Sequence, residues 1–330
     1  MTTFAHRRNP AYHKEPRRYI ELESSAISER DREDLKKIQI AYRELLHDRL
    51  IEDITRNVAL DLPIYRIDTL DHVKKDAKNK TLYLPNPCSW TDPWENFILR
   101  NDAFLHDGRP VNLSSLRDAF FAQCWSISPD CEGMWSTRHV AQENMCKIQK
   151  NGNEGASPRL VKITSTVRKL MREVYKFEDE EGHENFCIGA VQYKHKAEIE
   201  KIHALSFKDP DPGKIKDEIF ASLLLKRTSF SYEKEVRLIC YAQPGGERSD
   251  GGLLLHGVDI HNYLESLEID PWCSVEEFAR LKEQLKEYGF YCVERSSLLD
   301  PSDANTILLG EDCTIETPMG PILPPCIKRR

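Results

Sequence analysis

Apolar residues recur along this chain with two periods, and each period predicts an element. After Ser28, the residues Leu35, Ile38, Tyr42 and Leu45 follow a spacing of three to four, continued by Leu46, Leu50, Ile54 and Val58. That spacing predicts a long amphipathic helix over residues 28–61, capped by Ser28 and stopped by Pro63. Its apolar stripe has to be covered. Packing onto the main domain is the expectation, and dimerisation through a second copy is the alternative.

Residues 64–67 and 82–84 read as short strands, with a charged helix or loop over 72–80 between them. Residues 120–126 read as a strand, and a turn at Pro129 then leads to Met134-Trp135-Ser136. Residues 160–163 are strand-like. The segment 166–176 reads as a helix with Val167, Leu170, Met171 and Val174 on one side. A buried strand is expected over 186–193, and helices over 196–206 and 214–227. Further on, 252–258 and 267–269 read as strands. Ser274 opens a capping box with Glu277, starting a helix that Gly289 closes. Residues 290–293 read as a last strand. Strands and helices are interspersed without the strict alternation of a doubly wound fold, which predicts α+β: one mixed or antiparallel sheet with peripheral helices. The chain divides into a flexible basic arm (1–27), the amphipathic helix (28–61), the main domain (62–299) and an irregular proline-rich tail (300–330).

Composition narrows the class. With 330 residues, 40% apolar and 31% charged, the chain can bury a full core and keep a solvated surface. No apolar run is long enough to span a bilayer and the N-terminus lacks the apolar core of a secretion signal, so the expected compartment is the cytoplasm. Ten cysteines with no Cys-x-x-Cys spacing predict reduced thiols rather than a disulfide framework or a structural zinc site. Of these, Cys187, Cys240 and Cys292 sit in strand-like runs, where a free cysteine acts as a small hydrophobe. The net charge of −7 argues against a general nucleic-acid binder, although Arg7, Arg8, Lys14, Arg17 and Arg18 make the first eighteen residues basic. Nucleic acid is therefore a disfavoured partner, and oligomeric state is open.

Candidate chemistry centres on Ser231-Tyr-Glu-Lys-Glu-Val-Arg-Leu-Ile-Cys-Tyr241. Read as one strand, it puts Glu233, Glu235 and Arg237 on one face, in a row spaced about 6.5–7 Å apart. Paired carboxylates raise each other's pKa and an adjacent arginine lowers it. Such a row can meet a ribose, a cation or a metal; a solvated strand face with a cross-paired arginine gives the same pattern. A second stretch, Pro85-Asn-Pro-Cys-Ser-Trp-Thr-Asp-Pro-Trp-Glu95, carries three prolines and predicts a rigid loop presenting Asp92, Trp94 and Glu95. We expect that loop to wall the Glu233/Glu235 strand, with Lys226 near the same cleft as a cofactor-binding residue that offsets the acidic row or meets a phosphate. Asp92 as a helix cap, with Glu95 in the first turn, is the simpler alternative.

Three blocks resemble a widespread bacterial domain family of unknown function: Pro87-Cys-Ser-Trp-Thr-Asp-Pro-Trp-Glu95, Cys124-Trp-Ser126 with Met134-Trp135, and Lys226 with Tyr232-Glu-Lys-Glu-Val-Arg-Leu238. The likeness spans roughly residues 62–299. It departs after Trp135, where this chain has Ser136-Thr-Arg-His139 and an insertion over 137–159. A further resemblance, to ADP-ribosyltransferases, rests on the order Ile64-Tyr-Arg66, Cys124-Trp-Ser126, Glu233-Lys-Glu235. It implies NAD as substrate, with ADP-ribose passed to a small or macromolecular acceptor in a defence or toxin setting. Under it, Arg66 would clasp a phosphate, Ser126 would support the nicotinamide side, and Trp125 or Trp135 would stack on the ring. Glu235 would bond the ribose 2′-hydroxyl and stabilise the departing transition state, and Glu233 would orient the acceptor or act as its base. Arg66 paired with Asp68, and both tryptophans in the core, is the bland alternative. Two other functions compete. One is a nuclease in which Asp92, Glu95, Glu233 and Glu235 converge on Mg²⁺. The other is a non-catalytic scaffold whose helix binds a partner.

Overall fold

The computed structural model describes residues 55–101, 103–104, 110–111, 114–130, 132–149, 159–177, 184–205, 212–242, 248–249, 251–300, 315–317 and 320–322. The basic arm and residues 28–54 of the expected helix lie outside the described residues. Residues 55–60 are not helical, because Thr55–Arg56 pairs as a strand with Glu184–Ala190.

An eight-stranded sheet organises the chain. Its spatial order is Thr55–Arg56, Glu184–Ala190, Glu235–Ala242, Phe120–Ser126, Pro63–Thr69, Leu160–Thr166, Ser266–Ile269, Val293–Arg295. The inner strands are antiparallel and the two outermost pairings parallel, so the sheet is mixed and the class is α+β. Alternation along Glu235–Ala242 splits its side chains between two cores. Val236, Leu238, Cys240 and Ala242 enter the main cluster with Trp125, while Ile239 joins Phe120, Ala122 and Phe220 on the other face. Helix Val167–Val174, capped by Thr166, buries Val167, Leu170, Met171 and Val174 against the main cluster as its spacing predicted. Ser274 accepts from the Glu277 amide to start helix Val275–Lys286, and Gly289 follows at a φ of +85°.

Several boundaries differ from expectation for identifiable reasons. Met134-Trp135-Ser136, to which the sequence assigns no element, lies inside the helix Glu132–Gln149. The expected strand 186–193 breaks at Val191 into Glu184–Ala190 and Gln192–Lys194. The helix expected over 214–227 runs Pro212–Ser222, after which Leu225–Arg227 pairs in parallel with Gln192–Lys194. The last strand is Val293–Arg295 rather than 290–293, which leaves Cys292 exposed instead of packed. Within the segment expected to be irregular, Ile315–Thr317 pairs with Gly320–Ile322. Cys88, Cys124, Cys187, Cys240, Cys273 and Cys292 form no disulfide among the described residues.

One join in the sheet is thin. Pro63–Thr69 pairs with Phe120–Ser126 only at Tyr65 and Ser126. Beyond that pair the strands part, and the Arg66 guanidinium bridges to the Cys124 carbonyl at 3.4 Å.

Candidate functional site

The polar row is reorganised by one residue. Lys234 adopts a left-handed conformation at φ 44°, which closes a 3₁₀ turn over Thr228–Glu233 and lets the strand begin only at Glu235. Period-two alternation cannot run through such a residue, so Glu233 stands on the turn and not in the strand row. Glu235 and Arg237 do share one face, in register with Ser126 and Cys124. That face is not solvated: Arg237 is 0% exposed and Glu235 7%.

Burying these charges requires partners, and distant segments supply them. Arg237 donates from Nε and Nη2 to the two Glu235 oxygens at 3.0 and 2.9 Å, from Nη2 to Glu95 at 3.2 Å, and from Nη1 to the Leu223 carbonyl at 2.6 Å. The Trp90 ring covers its guanidinium at 4.1 Å. Lys226, projecting from its short strand, places its ammonium among three carboxylates: Glu95 at 2.9 Å, Glu235 at 3.2 Å, and Glu233. The rigid loop therefore does wall this strand, through Glu95. Asp92 stands one step outward, where Arg227 grips it with two bonds of 3.0 and 2.9 Å and its side chain also accepts from the Trp94 amide. Trp94 stacks on Phe97, with Lys196 over its ring at 4.6 Å.

The electrostatic consequences differ between the two glutamates. Burial pushes Glu235 up, but the charge and hydrogen bonds of Arg237, with the charge of Lys226, outweigh it and hold the carboxyl at about 2. For Glu233 burial prevails over the Lys226 bond, and its pKa is raised. Lys226 is raised as well: burial opposes its charge, but Glu235, Glu233 and Glu95 more than compensate. Three carboxylates thus face two cations, leaving the cluster one negative charge in excess.

Two expected ligand sets are corrected by this geometry. Asp92, Glu95, Glu233 and Glu235 do not converge on a common point for Mg²⁺. Three of them surround the Lys226 ammonium, which fills the position a metal would need, and Asp92 is held by Arg227. Among the described residues, no group of three or more His, Cys, Asp or Glu side chains is arranged to hold a metal ion. Arg66 does not join the Glu235 row either. Its neighbour Tyr65 is the residue in register with Ser126, which is in register with Glu235, so Arg66 points from the opposite face. There it is paired with Asp68 at 2.8 and 3.1 Å, and His72 meets the same carboxylate at 3.0 Å.

Ser126 lies in the row, but its hydroxyl is engaged. It donates to the Glu233 carbonyl at 2.7 Å and accepts from the Ser128 amide at 3.0 Å, which ties the 3₁₀ turn to the end of strand Phe120–Ser126. Trp125 faces the main core and donates to Gln123 at 3.0 Å, as a structural tryptophan does. Trp135, 1% exposed, lines a surface cavity with Tyr65, Ile67, Ser128, Pro129, Met134 and Lys162.

Sequence reasoning missed four participants. Tyr65 was read only as part of a strand, yet it stands in the Ser126–Glu235 row. Trp90 lay within the quoted loop without a role, and it roofs Arg237. Cys124 lies opposite Arg237 in register, and burial first, then the Glu235 charge, push its thiol up. The Tyr193 oxygen accepts from the Glu235 amide at 2.8 Å. Only the alternation of Cys124 with Trp125 carried a signal; the others depend on long-range pairing.

No protein-family model matches the chain, and no curated protein matches it. The expected resemblance to a bacterial domain family of unknown function is thus not supported. Among solved structures, the chain is similar to Thermus sp. 2.9 DarT in complex with NAD+, at 14% identity and a TM-score of 0.31, covering 73% of this chain and 98% of that one. It is similar to the same protein in complex with ADP-ribosylated ssDNA, at 14% identity and a TM-score of 0.32, covering 73% and 97%.

Proposed function

We propose that this chain cleaves NAD and passes ADP-ribose to an acceptor. One observation carries the reading. The row Tyr65–Ser126–Glu235 crosses the thin join of the sheet, with the Trp135 cavity beside Tyr65 and a carboxylate cluster of net negative charge at Glu235. Neighbouring strands lie about 4.8 Å apart, so the row is about 10 Å long. That is the span of a nicotinamide and its ribose. The aromatic ring would lie over the partly buried Tyr65, and the ribose toward Glu233 and Glu235.

The chemistry follows from charge. When the C1′–N bond breaks, its electron pair goes to the ring nitrogen and discharges the pyridinium. C1′ is left cationic, and a preorganised negative cluster in a water-poor site stabilises that cation. The acceptor then adds its lone pair to C1′ and releases a proton, which the Glu233 carboxylate can take. Its raised pKa brings it closer to the range where a base works at neutral pH. Both Glu235 oxygens are already engaged by Arg237 and Lys226. Glu235 therefore acts through its charge and by fixing the cluster, while Glu233 meets substrate. Arg66, on the other face, has no part in this proposal.

The experiment is to incubate the purified protein with NAD and follow nicotinamide release, with protein, RNA, single-stranded DNA or water alone as acceptor. Glu233→Gln should lower kcat about 10²-fold or more, a larger effect than on KM because its amide oxygen can still accept from a ribose hydroxyl. The competing reading is that the network only ties three segments together. No release from the wild type with any acceptor would favour that scaffold role.

A further inference from the structure

Two polar groups at the edge of the buried network remain uncommitted. Tyr193 stands on Gln192–Lys194, in register with Lys226 on the parallel strand, so the two side chains project to the same side. Its oxygen accepts from the Glu235 amide at 2.8 Å. A phenol has one proton, and with the acceptor side of the oxygen facing that amide the proton has to point elsewhere. Among the described residues, no acceptor lies within hydrogen-bond reach of it. The ring is half-buried, within electrostatic range of Glu233, Glu235 and Lys226. Glu233 presents the complement. Its Oε2 accepts from Lys226, while no donor among the described residues engages Oε1, and its side chain is 23% exposed.

We infer that Tyr193 is a substrate-binding residue which donates to one ribose hydroxyl while the neighbouring hydroxyl donates to Glu233 Oε1. A donor and an acceptor side by side are the complement of a vicinal diol, each hydroxyl of which gives one hydrogen bond and takes another. A half-buried donor with no protein partner is costly unless water or a ligand completes it. Here it borders the carboxylates proposed to face the ribose carbon, so the ligand class is a ribonucleoside. Burial first, then the charges of Glu235 and Glu233, raise the phenol to about 12, which keeps it a donor at any working pH. This inference rests on the proposed NAD cleavage and adds to it the residue that distinguishes ribose from deoxyribose.

The test compares NAD with two analogues, lacking the 2′- or the 3′-hydroxyl of the nicotinamide ribose, in the wild type and in Tyr193→Phe. With NAD, Tyr193→Phe should lower kcat/KM about tenfold, the loss of one hydrogen bond to substrate. With the analogue missing the hydroxyl that Tyr193 holds, the variant and the wild type should agree within about twofold. Because the comparison across analogues is made within each protein, a smaller folded fraction of the variant cancels. Equal penalties for NAD and both analogues would mean that Tyr193 only supports the Glu235 amide, and would overturn the inference while leaving NAD cleavage intact. Calorimetric binding of NAD is measured in parallel. A wild type that neither binds nor cleaves NAD overturns both proposals. A wild type that binds NAD without turnover keeps the inference alive only if Tyr193→Phe weakens that binding and the deoxy analogue abolishes the difference.

Discussion

Replacing Arg237 with methionine tests whether the Glu-x-Glu-x-Arg stretch is the organising network of the fold. Methionine keeps most of the aliphatic volume and removes the guanidinium. Four hydrogen bonds go with it: two to Glu235, one to Glu95 and one to the Leu223 carbonyl, along with the contact to Trp90. Glu235 would then keep the shared Lys226 ammonium at 3.2 Å and the Cys124 thiol, and the cluster's excess negative charge would grow from one to two. Breaking a buried ion pair from one side costs about 3–5 kcal/mol, because the remaining charge is stranded. For a domain of this size that corresponds to a fall in Tm of roughly 6–20 °C.

Urea unfolding followed by tryptophan fluorescence reads the change. The decisive comparison is the double variant Arg237→Met with Glu235→Gln. A neutral amide beside methionine leaves no stranded charge at that position, so the double variant should be less destabilised than the sum of the singles, with a coupling of about 1–3 kcal/mol. A single variant within about 1 kcal/mol of the wild type, or strictly additive singles, would refute the argument. Either result would mean that the carboxylates find water or other partners, and that Arg237 merely fills space.

Two further perturbations probe the same cluster. Lys226→Met removes the ammonium from the centre of Glu95, Glu233 and Glu235; the freed carboxylates should then bind a divalent cation, raising Tm in Mg²⁺ or Ca²⁺ where the wild type shows no response. An unchanged Tm in both proteins would mean that the three carboxylates are not held facing one point. Acid titration tests Glu235, whose carboxyl is lowered from 4.5 to about 2 in the folded protein. A lowered folded-state pKa stabilises above the unfolded value and loses that contribution as pH falls through the folded one, here about 3 kcal/mol between pH 4.5 and 2. Glu233, shifted the other way, opposes this by favouring the folded state at low pH. The urea midpoint should therefore fall more steeply below pH 4.5 in the wild type than in Glu235→Gln, and parallel curves would contradict the assignment.

Much of the sheet was legible because its strands obey a local rule. Phe120–Ser126 was recovered residue for residue, and Val167–Val174 and Val275–Lys286 were found from spacing and capping alone. The misread segments share a physical cause. Leu225–Arg227 continues the polar and apolar spacing of the preceding helix, yet it is extended because Gln192–Lys194 offers it a parallel partner. Trp135 was seen in a motif, but its helical setting comes from residues on both sides that have no strong period. Pairing between distant strands overrides local propensity in such places.

The candidate site shows where that limit falls. Alternation within Glu235–Ala242 correctly joined Glu235 to Arg237 on one face, because both lie past the left-handed Lys234. It wrongly added Glu233, which the same residue places on a turn. Whether that face would be wet or dry was not written locally at all. It is dry because Glu95 arrives from a loop 142 residues earlier than Arg237, and because Trp90 closes over the guanidinium. The same loop turns a surface row into a buried network whose charges are fixed in place. A carboxylate fixed by two arginine bonds and a lysine cannot also be the hand that grips a ribose. On the proposed reading, the glutamate of the Glu-Lys-Glu stretch with capacity left for substrate is Glu233, while Glu235 holds the cluster together. The partly buried Glu233 and the uncommitted hydroxyl of Tyr193 are the groups with hydrogen-bonding capacity left for a substrate.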